Sequence, residues 1–523
     1  IQADIDFNPK GVFSDNLEFL LNGGQTKGKL YTQTVAKKHK IKITMQGEML
    51  AGKIQDYLTS PLFKKVSGKT NWQGVLNIGN EDEPGYFQYI SQLKGVRFDL
   101  PAPLNKNAED VSRLDIKIKF PVDEKLPVRI NYTDKLSTAL VFNLETLDTK
   151  PLQRGEIIFY DENTKINSDK LRASLPAAEE LSIRGYLASF NIDDWYELVN
   201  ENSTSHNVGM VDLNIPINVD MDYLKMVTNS VEGEEESFRP AKDPRRISLF
   251  KIDIKSFKYD DKIYGHIRSK VERHPDGFRF TEIYIDAPYM HVEGDGSWFF
   301  RDGRQQTNFV VVLTADDIGI ALTQLGFSAT VKKGRTKSVI QAHWYDAPNR
   351  FKIEKLNGNV GVIIDDGVIR EVKPGAGRLL GLFSVSELPR RLLLDFGELK
   401  EGLAFQQIIA QLEIKEGDAF AENVTIISPV ALITIKGRTG LAKRDFDQLI
   451  RVSPAVSGTI PIISFLAWGG QIGALVFLID TLIGDQMNDK LATEYTMTGS
   501  WDDPVITKLT PDIPEENQDS DEE

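Results

Sequence analysis

Cysteine is absent from the 523-residue chain, which excludes disulfide staples, thiolate metal ligands and a cysteine nucleophile. The absence suits an oxidising compartment, the periplasm or the exterior, where stray thiols are a hazard. Histidine is scarce: His39, His206, His266, His274, His291 and His343 are scattered, without an H-E-x-x-H or a pair at ligand spacing. The chain has no G-x-S-x-G elbow, no P-loop and no G-x-G-x-x-G between strand and helix. Basic clusters are missing too. The net charge is -14 and the basic residues sit singly, so nucleic acid is excluded as a partner. The carboxylate pairs Asp316–Asp317 and Asp502–Asp503 read as a helix start and a turn, not as acid and base partners. Asp365–Asp366 lacks the spacing of a calcium loop. No enzyme, metal or cofactor is therefore expected.

What the chain does have, from end to end, is period-two alternation. In LDIKIKF, Leu114, Ile116, Ile118 and Phe120 point to one side of a strand, while Asp115, Lys117 and Lys119 point to the other. The same text recurs at Ile41, Ile43 and Met45, at Val96 and Phe98, and at Phe250, Ile252 and Ile254. Further along it returns at Phe351 and Ile353, at Leu412 and Ile414, and at Ile433 and Ile435. The expected fold is mainly β: a long twisted antiparallel sheet with strands separated by turn signals at 294–296, 302–303, 365–367 and 416–418.

Helical text is short. Thr314 with Asp317 opens TADDIGIALTQLGF, with Gly326 as C-cap, and NIDDWYELV at 191–199 starts on cap-competent residues. GKIQDYLTSPLFKKV at 52–66 reads as two short helices broken at Pro61, and PGAGRLLGLFSVSELPRRL at 374–392 as two more. Too few helices exist to cover every sheet face. No charge occurs between Arg451 and Asp480, and the apolar part, TIPIISFLAWGGQIGALVFLI at 459–479, is about the roughly 20 residues that span a bilayer. Glycines and a proline interrupt it, so the expectation is a helical hairpin near 459–484, either touching a membrane or plugging the end of the sheet.

The expected organisation is a segment 1–228 with short helices, a polar loop or boundary at 229–246, a C-terminal segment 247–508, and an acidic disordered tail at 509–523. HWYDAPNRFKIEKL at 343–356 echoes GSWDDPVITKL at 499–509, which suggests repeated modules. The chain starts at Ile1 with strand-like IQADIDF and reads as a fragment.

The run EKLNGNVGVIIDDGVIREVKPGAGRLLGLFSVSELPRRLLLDF, then GLAFQQIIAQLEIKEGDAFAENVTIISPVALITIKGRTGLAKRDFDQLIRVSP and YTMTGSWDDPVI, resembles the C-terminal half of the YhdP proteins of the AsmA-like family. SPLFKKVSGKTNWQGVLNI, LKGVRFDLPAPLNK and LSIRGYLASFNIDDWYELV extend the resemblance over most of the chain, and PGAGRLLGLFSVSELPRRL is its most specific phrase. The resemblance implies a Gram-negative envelope protein held in the inner membrane by an N-terminal helix that this chain lacks. It also implies a sheet curled into an elongated open groove that bridges the periplasm and moves phospholipid toward the outer membrane.

On that reading the alternating apolar residues named above line the groove. Phe465, Leu466, Trp468, Val476, Phe477 and Leu478 of the hairpin would touch the outer membrane. The rival is a structural or scaffolding β-protein whose oily faces form a closed core. Alternation alone is compatible with both.

Overall fold

The computed structural model describes residues 2–21, 23–35, 38–56, 61–79, 84–133, 135–146, 151–160, 172–191, 194, 195, 198, 215–227, 243–246, 248–325, 331–370, 402–454 and 492–509. It divides into two compact units, one of Ile1–Lys242 with Arg246–Arg273, the other of Asp243–Arg245 with His274–Glu523. Twenty-seven strands are described, alongside a few short helical turns. The architecture is mainly β, as the alternation implies.

In the first unit the strands are β1 (Gln2–Ala3), β2 (Asp6–Asn8), β3 (Gly11–Leu21), β4 (Gly24–Val35), β5 (Lys38–Leu50), β6 (Val66–Ile78), β7 (Tyr86–Ser91) and β8 (Val96–Phe98). They continue as β9 (Leu114–Lys119), β10 (Lys125–Tyr132), β11 (Leu136–Asn143), β12 (Leu152–Phe159), β13 (Leu181–Phe190), β14 (Ile217–Met226), β15 (Phe250–Tyr259) and β16 (Lys262–His274). β1 and β2 both pair with β3. From β3 to β12 the neighbours are antiparallel, with β7 pairing directly to β9 and β8 set aside against the start of β6. β12, β13, β14 and β15 then run parallel, and β16 returns antiparallel.

The three parallel ladders are the exception within the expected long antiparallel sheet, which is therefore mixed. Parallel neighbours need long crossovers, and residues 160–180, 191–216 and 227–249 supply them. The described end of the first crossover lies across the polar side of the sheet, where Arg129 Nη1 donates to Ala173 O (2.9 Å) and Arg154 Nη1 to Pro176 O (3.1 Å).

The second unit is an antiparallel meander: β17 (Gly277–Ala287), β18 (Met290–Arg301), β19 (Arg304–Ala315), β20 (Val331–Trp344), β21 (Asn357–Ile369), β22 (Leu403–Lys415), β23 (Asp418–Ile427), β24 (Ala431–Gly440), β25 (Asp445–Pro454), β26 (Thr493–Ser500) and β27 (Pro504–Leu509). Each strand pairs with the next, and no ladder joins β27 back to β17 among the described residues.

Local chemistry explains where the elements differ from expectation. Asp302 (φ 50°) with Gly303 (φ 77°), and Glu416 (φ 48°) with Gly417 (φ 76°), make tight turns, because two successive left-handed residues match the strand twist. The GDG at 294–296 and the DDG at 365–367 instead lie inside β18 and β21. At Gly296 a Cβ would stand 2.4 Å from the Phe309 ring, so the missing side chain lets that ring lie across the neighbouring strand. Two short helical elements do flank the break expected at 52–66, a 3-10 turn Ala51–Asp56 and helix α1 (Pro61–Lys64), which begins on Pro61, a position where the missing N–H costs nothing. Helix α2 (Ile318–Gln324) is capped by Asp317, whose carboxylate accepts from Ile320 N at 3.1 Å; Thr314 belongs to β19, and Leu325 is the C-cap.

Phe351 and Ile353 lie in the single-turn helical segments Pro348–Arg350 and Ile353–Lys355 and their junction, not in a strand. The two echoes of a Trp with an Asp-x-Pro turn stand at the end of β20 and just after β26, and each indole donates to a backbone carbonyl: Trp344 to Ala347 O (3.0 Å), Trp501 to Asp445 O (3.2 Å). The phrase at 374–392, the hairpin at 459–484 with Phe465, Leu466, Trp468, Val476, Phe477 and Leu478, most of the loop at 229–246 and the tail beyond Leu509 lie outside the described residues.

Candidate functional site

Residues opposite one another in a ladder share a face, so the registers show how far each apolar face runs. In the first unit one row reads Leu30, Ile43, Leu76, Phe87, Ile118, Val128, Leu140, Gly155, Leu181, Ile217, Phe250, crossing from β4 to β15. Eleven strands at about 4.8 Å spacing make that row about 50 Å long. The next row reads Met45, Gly74, Tyr89, Ile116, Ile130, Thr138, Ile157, Ile183, Val219, Ile252. A third carries Trp72, Ser91, Leu114, Tyr132, Leu136, Phe159, Gly185, Met221, Ile254. No Asp, Glu, Lys or Arg interrupts these rows.

The reverse face of the same strands has the opposite character. Its row reads Lys29, Thr44, Val75, Gln88, Lys117, Arg129, Ala139, Glu156, Ser182, Asn218, Lys251. Glu156 is held there by Arg184 Nε at 2.8 Å and the Ser174 backbone N–H at 2.6 Å.

The structure thus brings Ile41, Ile43, Met45, Leu114, Ile116, Ile118, Phe250, Ile252 and Ile254 onto one face, and all but Ile254 are only half-buried. Phe120 lies one residue past β9 and is 37% exposed. Val96 and Phe98 play another part. Val96 is fully buried with Ala51, Leu93 and Tyr132, and Phe98 packs its ring edge against Tyr132 at 6.0 Å. They belong to a wall over one margin of the face. Beside it Trp72 stacks on Tyr89 with centroids 5.5 Å apart, and burial pushes the Tyr89 phenol up to about 12 against the opposing pull of Ser91.

The second unit repeats the pattern. One row reads Ile283, Gly294, Val311, Ile340, Val360, Leu412, Ala421, and another Ile285, Val292, Leu313, Ser338, Val362, Ala410, Val424, Ile435, Ile450, Tyr495. In β17 to β21 Ile283, Val311, Ile340 and Val360 are half-buried. From β22 onward the face is closed: Ile408, Ile426 and Ile450 are 0% exposed, and Ile414, Ile433 and Ile435 are buried with them; Leu412 packs partly buried beside them. The reverse face is covered there too, at Ile409, Ile427 and Leu432. Phe351, 48% exposed, meets Trp344 edge-on at 5.1 Å and extends an aromatic chain through Phe309 to Phe280.

Leu76, Phe87, Val128, Leu140, Ile217, Ile283, Val311 and Ile340 are members of these rows beyond the strands singled out from the sequence. Their signal is the same alternation, in NWQGVLNI, YFQYIS and PVRINY. Among the described residues no group of His, Cys, Asp and Glu could hold a metal ion, and no helix is long and apolar enough to cross a membrane.

A sequence model described as "YhdP protein" matches residues 1–233 and 212–506 of the chain. The intermembrane phospholipid transporter YhdP of Escherichia coli (strain K12) is 22% identical over 528 residues, an alignment covering 91% of this chain and 42% of that protein. The chain therefore spans less than half the length of that relative.

Proposed function

Because the chain belongs to the YhdP family, we propose that it carries phospholipid, its apolar sheet faces serving as part of a groove between inner and outer membranes. The observation that carries this reading is the set of charge-free rows crossing nine to eleven strands of the first unit, with most side chains of the first two rows left half-buried. Acyl chains laid along such rows gain roughly 0.8 kcal/mol per buried CH₂, while head groups stay in water at the margin. Movement along the strip needs near-uniform energy, not chemistry, and repeated Ile, Val, Leu and Phe in successive strands meet that need. The relative's printed role as an intermembrane phospholipid transporter supports phospholipid as the cargo. The periplasm is then the setting, with the full-length protein anchored in the inner membrane and the C-terminal unit nearer the outer one.

The scaffold reading is favoured by one observation, the burial of both faces in β22 to β24, and it applies to that stretch as a core. Protein purified without detergent is expected to carry phospholipid visible by native mass spectrometry and to exchange it for a fluorescent analogue. Lipid-free protein that also takes up none would overturn the carrier reading.

A further inference from the structure

The apolar face of the first unit has two unlike margins. Along β9 it reads Phe120, Ile118, Ile116, Leu114, and beside it along β10 Leu126, Val128, Ile130, Tyr132. At one end the face is open: Phe120 is 37% exposed and Ile78, on the same margin in β6, is 41% exposed. At the other end it is roofed. The turn Ala51–Asp56 packs Ile54 with Trp72 and Tyr89, and the excursion between β7 and β9 packs Val96, Phe98 and Leu104 with Leu114, Tyr132 and Leu136. The roof is pinned. Lys106, only 5% exposed, donates from its ammonium to Val96 O (2.9 Å) and Asn107 O (2.7 Å), and Phe98 N–H donates to Lys106 O at 2.9 Å. Trp195 Nε1 ties the far end of the excursion by donating to Ala102 O at 2.9 Å. From Phe120 to Leu114 the strip measures about 20 Å, at about 3.4 Å per residue. The chains of one bilayer leaflet reach about 15 Å, half of the hydrocarbon core. Measured along its strands, the strip therefore fits one phospholipid chain and little more.

We infer that the roof is an end stop for acyl chains: a phospholipid lies with its chain ends against Phe98 and Leu104 and its head group in water beside Phe120 and Ile78, so chains longer than the strip are selected against. The inference rests on the carrier reading, since it takes the apolar rows as the acyl path. The reverse orientation would bring an ionised phosphate up to Leu93 and Val96, 3% and 0% exposed, the driest part of the face. A chain end needs only apolar contact, which the roof supplies. A chain that overruns the stop leaves methylenes in water that a bilayer would keep dry, and each shifts the partition toward the bilayer by about fourfold. The open margin continues from strand to strand through Ile41, Ile78, Phe120, Leu126 and Phe142, so a lipid can step sideways without turning over.

The chain has no cysteine, so a single introduced cysteine carries a fluorophore without background. Leu104→Cys places the label at the roof and Phe120→Cys at the open margin; Phe98→Cys and Ile78→Cys repeat the pair if either of the first fails to fold. Each labelled protein is loaded from phosphatidylcholine vesicles bearing a nitroxide either beside the head group or near the chain end, and the loss of fluorescence is read. The chain-end nitroxide is expected to cause the larger loss at Leu104 and the head-group nitroxide the larger loss at Phe120. In a second arm the unlabelled chain is loaded from vesicles mixing chains matched to a leaflet with chains about a third longer, and bound lipid is measured by mass spectrometry. The longer lipid is expected to be depleted about fourfold or more, and Phe98→Ala with Leu104→Ala should relieve the depletion. Equal or reversed quenching at the two sites, bound lipid with the chain lengths of the vesicles, or depletion undiminished in the double variant overturns the end stop and leaves the carrier reading intact. No quenching and no bound lipid overturns both.

Discussion

Protein carrying Ile252→Asp is expected to bind less than about one tenth of the phospholipid bound by wild type, while remaining folded. Ile252 stands in β15 between Val219 and Ser269, half-buried in the second of the three apolar rows and on the last strand those rows cross. Without lipid the new carboxylate reaches water, so the sheet tolerates it. With lipid it would be sealed against acyl chain, and burying an unpaired charge costs several kcal/mol unless the lipid is excluded. Each 1.4 kcal/mol is about tenfold in affinity, so even partial exclusion is easily measured. The control is one residue away. Lys251 is exposed on the reverse face opposite Lys270, and Lys251→Glu should leave lipid load unchanged because it removes a like-charge pair without touching the strip. Equal losses from the two substitutions would show that the faces have been assigned wrongly.

Much of that face can be read from the sequence, because strand side chains alternate regardless of what the strand pairs with. Ile116 and Ile252 follow from LDIKIKF and LFKIDIKSF alone. What alternation cannot carry is the neighbour and the cover. Ile433 and Ile435 alternate as cleanly as Ile116 and Ile118, yet the former are buried in a packed core and the latter half-open. The difference lies in what packs over them, a property of distant chain. Strand direction is equally silent: β12 to β15 run parallel because their crossovers are long, and their alternation is the same as in the antiparallel strands.

Local signals fail where tertiary packing overrides them. GDG at 294–296 has turn composition, but Gly294 and Gly296 sit in β18, where a Cβ would meet Val310 O and the Phe309 ring. FKIEKL alternates like a strand, but Pro348 and the turn after Trp344 hold it in tight helical turns. The loop joint at Gly417, whose N–H donates to Leu356 O and whose carbonyl accepts from Leu441 N, was invisible for a related reason. EGD announces a turn, and nothing nearby in sequence announces the loops at 353–357 and 441–443 that close on it.

Open and closed stretches of the same face should also separate in stability. In lipid-free protein Ile426→Ala is expected to cost about 3–5 kcal/mol and Ile340→Ala about 1–2 kcal/mol. Ile426 is 0% exposed and sits between Ile408 and Ile433 in the closed part of the second unit, so truncation leaves a cavity that rigid neighbours cannot fill. Ile340 lies between Val311 and Val360, half-buried, and water already covers part of what truncation would expose. Hydrogen exchange on peptides from β20 and β23 reads the two sites separately. Soluble short-chain phospholipid supplies the second arm, because a ligand bound only by folded protein stabilises it in proportion to its occupancy. Lipid should raise protection around Ile340 in wild type, raise it less in Ile340→Ala, and leave β23 unchanged. Equal costs at the two positions, with no effect of lipid at β20, would mean that the face is closed throughout and that the scaffold reading is correct.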